Sequence, residues 1–136
     1  MGPVAKYNER LGAFQSKHLV GIEYIQVDVH GPENMAREIH DNTVDRGIKY
    51  LTSRYSQLLT AISNELLEIK NDGWLRKNEA PLSEKKFRLL ITPRRIELFE
   101  DGSIEIGWKD GGTFWGHEIV LRTDSNLTPN WIDIEG

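Results

Sequence analysis

The stretch "GGTFWGHEIVL", Gly111 to Leu121, sets His117 beside Glu118 just after two aromatics, Phe114 and Trp115. Carboxylates flank it on both sides, Asp110 before and Asp124 after. A histidine and several carboxyl groups are the raw material of general acid–base chemistry. That chemistry also needs two carboxyl groups in different environments across a pocket. A predicted hairpin holding Asp110, Glu118 and Asp124 supplies closeness without a pocket. The pattern therefore points to a binding feature made of Asp110, Trp115, His117, Glu118 and Asp124, with tryptophan as the side chain suited to anchor an interface. The same residues also read as a loop-to-strand corner, with Phe114 and Trp115 as its packing plug.

Other catalytic and cofactor chemistry finds little support. The four histidines, His18, His30, His40 and His117, form neither a helical His-x-x-x-His pair nor a zinc-finger spacing. Asp28 and His30 share one strand face, but scattered histidines are usually structural. The chain has no cysteine, which excludes disulfides, thiolate metal sites and a cysteine nucleophile. Its glycine-rich pieces match neither a phosphate-binding loop nor a dinucleotide fingerprint, and no Gly-x-Ser-x-Gly elbow occurs. No catalytic residue, metal or cofactor is expected.

Charge narrows the partners. Net charge is −4, and residues 101–136 carry two basic groups against seven acidic ones. Such a segment repels nucleic acid and steers a basic protein partner. The one cationic cluster, Lys85, Lys86, Arg88, Arg94 and Arg95 around Phe87, reads as a solvated helix face with ion pairs to Glu84 and Glu97. No apolar run reaches the roughly 18 to 20 residues of a membrane span. The first residues hold no continuous apolar core of a signal peptide, so the expected location is cytoplasmic.

These residues must be positioned by a fold that 136 residues can build as one domain, residues 1–136. Val20, Ile22 and Tyr24 alternate, then Ile25, Val27 and Val29 alternate on the other phase. That predicts β structure with a bulge or with both faces covered. Ile48, Leu51, Tyr55, Leu58, Ile62, Leu66 and Ile69 recur at spacings of three and four, which predicts one long helix. Asp41-Asn42-Thr43 and Gly47 would separate it from a short helix over Glu33 to His40. Gly73 would end it at positive φ. Ser83 reads as the N-cap of a second short helix, Glu84 to about Leu90. Asp101-Gly102 between Ile96–Leu98 and Ile104–Trp108 signals a hairpin. His117 to Thr123 and the "WIDI" stretch complete the strands. The predicted class is α+β: a mainly antiparallel sheet packed against one long α-helix plus one or two short helices.

The order of motifs adds a resemblance. "LGAF" (Leu11 to Phe14), "IQVDV" (Ile25 to Val29), "NDGWL" (Asn71 to Leu75), "PLSEKKF" (Pro81 to Phe87), "IELFEDGSIEIGWKDGGTFWGHEIVL" and the closing "DIEG" run through most of the chain. In them the chain resembles the uncharacterised bacterial domain-of-unknown-function family numbered 2262. The resemblance implies a small bacterial or phage-borne protein and carries no activity with it. By analogy with other small acidic proteins, the expected function is non-enzymatic: an immunity- or inhibitor-type protein that occludes a partner protein. The alternative is a small-molecule or nucleotide-signal binder with hydrolytic activity, its pocket lined by Tyr24, Tyr55, Trp108 and His117.

Overall fold

A computed structural model describes residues 5–136. Seven strands form one sheet in chain order: β1 (Lys6–Asn8), β2 (Ala13–Val20), β3 (Glu23–His30), β4 (Thr92–Leu98), β5 (Ile104–Lys109), β6 (Glu118–Thr123) and β7 (Pro129–Glu135). Every neighbouring pair is antiparallel except β3–β4, which is parallel. A parallel pair needs a crossover, and α1 (Arg37–Ser53), α2 (Tyr55–Gly73) and α3 (Glu84–Leu90) supply it.

The helices cover one face of the sheet. Ile25, Val27, Ile96, Ile106 and Ile119 from the strands are buried in one cluster with Leu51, Leu58, Ile62, Leu66 and Phe87 from the helices. Strand residues of the opposite parity, such as Asp28, Arg95, Glu97 and Glu118, form the polar other face. The alternation expected for a half-covered antiparallel sheet is thus obeyed.

The phase change in the first β segment is a hairpin, not a bulge. Val20 pairs with Glu23, which leaves Gly21-Ile22 as a two-residue loop with Gly21 at φ 65°. Glycine is suited to this first loop position because the twist of such turns requires positive φ.

The single long helix is also corrected. Two helices of 17 and 19 residues meet at Arg54, with neither proline nor glycine at the joint. Two consecutive side-chain hydroxyls compete for carbonyls just before the joint. The hydroxyl of Thr52 donates to Ile48 O at 3.0 Å and that of Ser53 to Lys49 O at 2.6 Å. Back-bonding of this kind bends helices. The Arg54 N–H still reaches Tyr50 O at 3.2 Å and its carbonyl still accepts from Leu58 N at 2.9 Å, so the joint is a bend rather than a loop. Apolar spacing survives a bend and could not reveal it.

Two other helix boundaries differ from expectation. α1 begins at Arg37 and runs through Asp41-Asn42-Thr43 and Gly47. Gly47 sits there because a Cβ would lie 3.0 Å from both Leu98 methyls, so it marks close helix–sheet contact instead of a break. At the other end, Gly73 remains helical and Lys70, not Ile69, turns inward. Lys70 is fully buried while Ile69 is exposed. Its ammonium donates to Trp74 O at 2.7 Å and Glu79 Oε1 at 3.0 Å, satisfying a carbonyl just past the helix end. Ser83 caps α3 as expected, accepting from Lys86 N at 3.2 Å.

Lys70 therefore acts both as packing stem and as cap. Lys70→Ala is expected to lower unfolding free energy by about 3 kcal/mol and Lys70→Met by only about 1 kcal/mol, since methionine keeps the stem volume. Urea denaturation checks this; equal losses would show that the ammonium, not the stem, carries the effect.

Candidate functional site

Asp110 holds a loop together. Its carboxylate accepts from Gly112 N at 3.0 Å, and from Phe114 N and Gly116 N at 2.9 Å each. Three backbone donors on one buried carboxylate fix the whole 110–116 turn. Phe114 is fully buried, with its ring edge-on to Trp74 at 5.4 Å and Phe87 at 6.2 Å. Phe114 is thus the plug that the sequence suggests. Trp115 is not: at φ 59° it is 48% exposed. Its indole N–H donates to Trp74 O at 3.1 Å, and Arg76 lies over its ring at 5.8 Å. His117 is half-buried and donates from Nδ1 to Phe114 O at 2.7 Å.

Glu118 opens the six-residue strand β6 and Asp124 directly follows it, which puts them roughly 20 Å apart at 3.3 Å per residue. They therefore do not form a carboxylate cluster with Asp110. Asp124 closes the β6–β7 turn, accepting from Asn126 N and Thr128 N. Glu118 belongs to the polar sheet face, where it pairs with Arg95 at 2.7 Å and with Arg94 at 3.6 Å.

Arg95 is the hub of that face. It also meets Glu105 at 2.7 Å and Glu97 at 3.3 Å. Burial works against its charge, but hydrogen bonds to Glu118 and Glu105 outweigh this and raise its pKa further above the ordinary range. Gly107 makes the geometry possible: a Cβ there would lie 2.5 Å from Glu118 Oε2 and 2.7 Å from Arg95 Nε. Glu97 and Glu105 stand directly opposite each other, an unfavourable like-charge pair. Burial, then the Glu105 carboxylate, pushes Glu97 up, with Arg95 opposing. Burial also acts on Glu105, but Arg122 and Arg95 bring it down.

This network dissolves the basic cluster and engages the acidic segment. Arg95 is enclosed by carboxylates, and Arg88 is held by Thr60, Ser56 and Glu84. The acidic residues of 101–136 each have a partner. Glu105 and Glu118 pair with arginines, as does Glu135 with Arg122, while Asp101, Asp110, Asp124 and Asp133 accept backbone N–H groups.

The histidines do not converge on one centre, although His18 and His40 lie near each other. Ser16 Oγ and His18 Nε2 are hydrogen-bonded at 2.7 Å; burial, then nearby His40, lowers the His18 pKa. His40 Nδ1 meets Asp41 at 3.0 Å, and His30 stacks on Phe99 at 4.7 Å. Among the described residues, no group of three or more His, Asp or Glu is arranged to hold a metal ion. The predicted Tyr24–Tyr55–Trp108–His117 pocket does not form either. Tyr24 has the parity of the polar face, whereas Trp108 is fully buried under the helices, 5.9 Å from Tyr55.

What sequence reasoning missed is an apolar end. Register places the Gly21-Ile22 loop, Thr92, Lys109 and Glu118 at one end of the sheet, and Lys109 reaches Glu23 at 3.9 Å. Asp110, Trp115 and His117 share that end; Asp124 lies at the opposite one. Of the eleven exposed large hydrophobics among the described residues, seven lie toward this end, on both faces of the sheet: Leu19, Ile22, Tyr24, Tyr55, Leu89, Leu90 and Trp115. Ile22 is 95% and Leu89 73% exposed. Between the hairpin tip and α2–α3 run two adjoining grooves of about 420 and 270 Å³ that share Tyr55 and Thr92. The signal in the sequence was Ile22, an isoleucine at the apex of a tight turn.

A family model described as an uncharacterized protein conserved in bacteria, domain-of-unknown-function family 2262, matches residues 4–134. The chain belongs to that family. No curated protein and no solved structure matches it. Among the described residues, no helix is long and apolar enough to cross a membrane.

Asp110→Ala is expected to cost about 3 kcal/mol through three orphaned N–H groups, and Asp110→Asn about half of that. Thermal or urea unfolding checks both, and a loss under ~0.5 kcal/mol would contradict the loop-staple role. For Glu97, a folded pKa above the unfolded one means the proton is held more tightly in the folded state. Its contribution to stability is full below the ordinary glutamate range and is lost as pH rises through the folded value. The stability of Glu97→Gln relative to the parent should therefore grow as pH rises above the ordinary glutamate range, about pH 4. A difference independent of pH would contradict the like-charge account.

Proposed function

We propose that this member of domain-of-unknown-function family 2262 is a non-enzymatic binding protein that acts by occluding a partner protein. The contact surface is the hairpin end of the sheet. One observation carries this reading: seven of the eleven exposed large apolar side chains lie toward that end. Single exposed hydrophobics are ordinary, but Ile22, Tyr55 and Leu89 line two adjoining grooves, and exposed apolar groups brought together mark an interaction site. Tyr24, Tyr55 and Trp115 add the aromatic character of interface anchors.

The carboxylates of residues 101–136 serve the protein's own loops and arginines, so contact at this end rests on apolar burial. The immunity- or inhibitor-type role fits a surface that covers a partner without acting on it chemically. A variant carrying Ile22→Asp and Leu89→Asp should retain its unfolding midpoint, because both side chains are exposed. It should lose at least about tenfold of the affinity for a co-purifying partner, the size expected of disrupted interface anchors. Trp131→Ala, on the edge strand, should keep that affinity. Equal binding by the double variant, measured by titration, would sink the reading.

A further inference from the structure

The start of α1 lies over β2, and two histidines meet in that seam. Phe14, Ser16 and His18 pair with Val29, Val27 and Ile25, which belong to the core under the helices. All three therefore point toward the helices. The Phe14 ring meets that of His40 on α1 at 5.3 Å. We infer that this seam is a proton-operated latch: acidification through the histidine range loosens the first turns of α1 and the hairpin half of β2. The inference goes beyond the proposed partner contact and does not rest on it.

The half of β2 that carries His18 has few other restraints. β1 pairs only with Ala13 to Gln15, so among the described strands Ser16 to Val20 have β3 alone as ladder neighbour. Buried Ser16 and His18 Nε2 are hydrogen-bonded at 2.7 Å. The charged and titratable groups that face His18 come from α1: His40, Asp45 and Asp41. Across from it on β3 stands uncharged Ile25. Asp41 is already engaged, by His40 Nδ1 at 3.0 Å and by Arg37 at 3.5 Å. His40 is buried, and its Nε2 has no hydrogen-bond partner. An N–H on that nitrogen would have no acceptor, an arrangement that costs free energy. A cavity of about 210 Å³ lined by Phe14, Met35, Arg37 and His40 adjoins the seam and gives α1 room to shift. Burial, then His40, holds the His18 pKa below its ordinary value, while Asp45 and Asp41 oppose. The unfolded chain therefore takes up this proton more readily than the folded one. The seam's stability is full above the ordinary histidine value of about 6.5. It falls as pH drops through that value toward the folded one. Acid thus slackens the strand that leads into the Ile22 tip.

Amide hydrogen exchange of the full protein between about pH 8 and about pH 5 tests this, since the window spans the histidine range. Opening constants, corrected for the intrinsic pH dependence of exchange, should rise severalfold toward acid for residues 16–20 and 37–45. The ceiling is about tenfold for each unit separating the unfolded and folded pKa values. Opening of β5 and β6 should rise less. His18→Gln should abolish the rise at the seam. Asp45→Asn removes a carboxylate that favours charged His18, so it should enlarge the rise. An NMR titration of the unsubstituted protein should find the His18 imidazole titrating below the ordinary value, a readout that needs no variant to fold. Opening constants that do not change with pH, or that rise equally in β5 and β6, would overturn the latch. So would a rise that persists in His18→Gln, or a His18 that titrates at or above the ordinary value.

Discussion

The parallel pairing of β3 with β4 is the constraint on which the molecule turns. Gln26 faces Arg95 and Val29 faces Leu98 in that ladder, so the chain leaving His30 must return to the other end of the sheet before β4 begins. Three helices make that return, and all the apolar strand residues of one parity find their cover there. The return also delivers Leu89 and Thr92 beside the Gly21-Ile22 hairpin tip. The grooves are thus a by-product of topology: two segments about seventy residues apart in sequence are forced to the same end, and the side chains between them have no further layer to pack against.

The other face of the sheet solves a different problem. Without helices over it, it carries charges, and these neutralise one another around Arg95. Gly107 gives the guanidinium room to lie flat, and Glu97, Glu105 and Glu118 surround it. The Glu97–Glu105 opposition is the cost of packing three carboxylates around one arginine. A face whose charges are mutually satisfied leaves few of them free for a partner, whereas burial of the apolar end against a partner removes exposed Ile22 and Leu89 from water.

Much of the fold was legible in the sequence where a local rule decides structure. Asp101-Gly102 made its hairpin, Ser83 capped its helix, and Leu51, Leu58, Ile62 and Leu66 entered the core at the expected spacing. The errors came where two outcomes share one pattern. A phase change in apolar alternation fits a bulge or a tight hairpin, and an apolar turn residue such as Ile22 hid the second. Back-bonding by Thr52 and Ser53 leaves no trace in apolar periodicity, and a buried lysine reads as surface until its partners are known. The candidate site was less legible. Asp110 and Asp124 have the composition of a site but serve their own loops, and the grooves draw on four separate segments that no linear motif joins.

The central claim is that contact with a partner occurs at the hairpin end of the sheet. Amide hydrogen exchange of the protein, alone and in complex with its co-purified partner, tests it most directly. The account predicts new protection confined to residues 19–24, 52–55 and 85–93, with none over 124–135. Protection that appears along β6–β7 and the Asp124 turn, and leaves the hairpin tip exchanging as in the free protein, would contradict it.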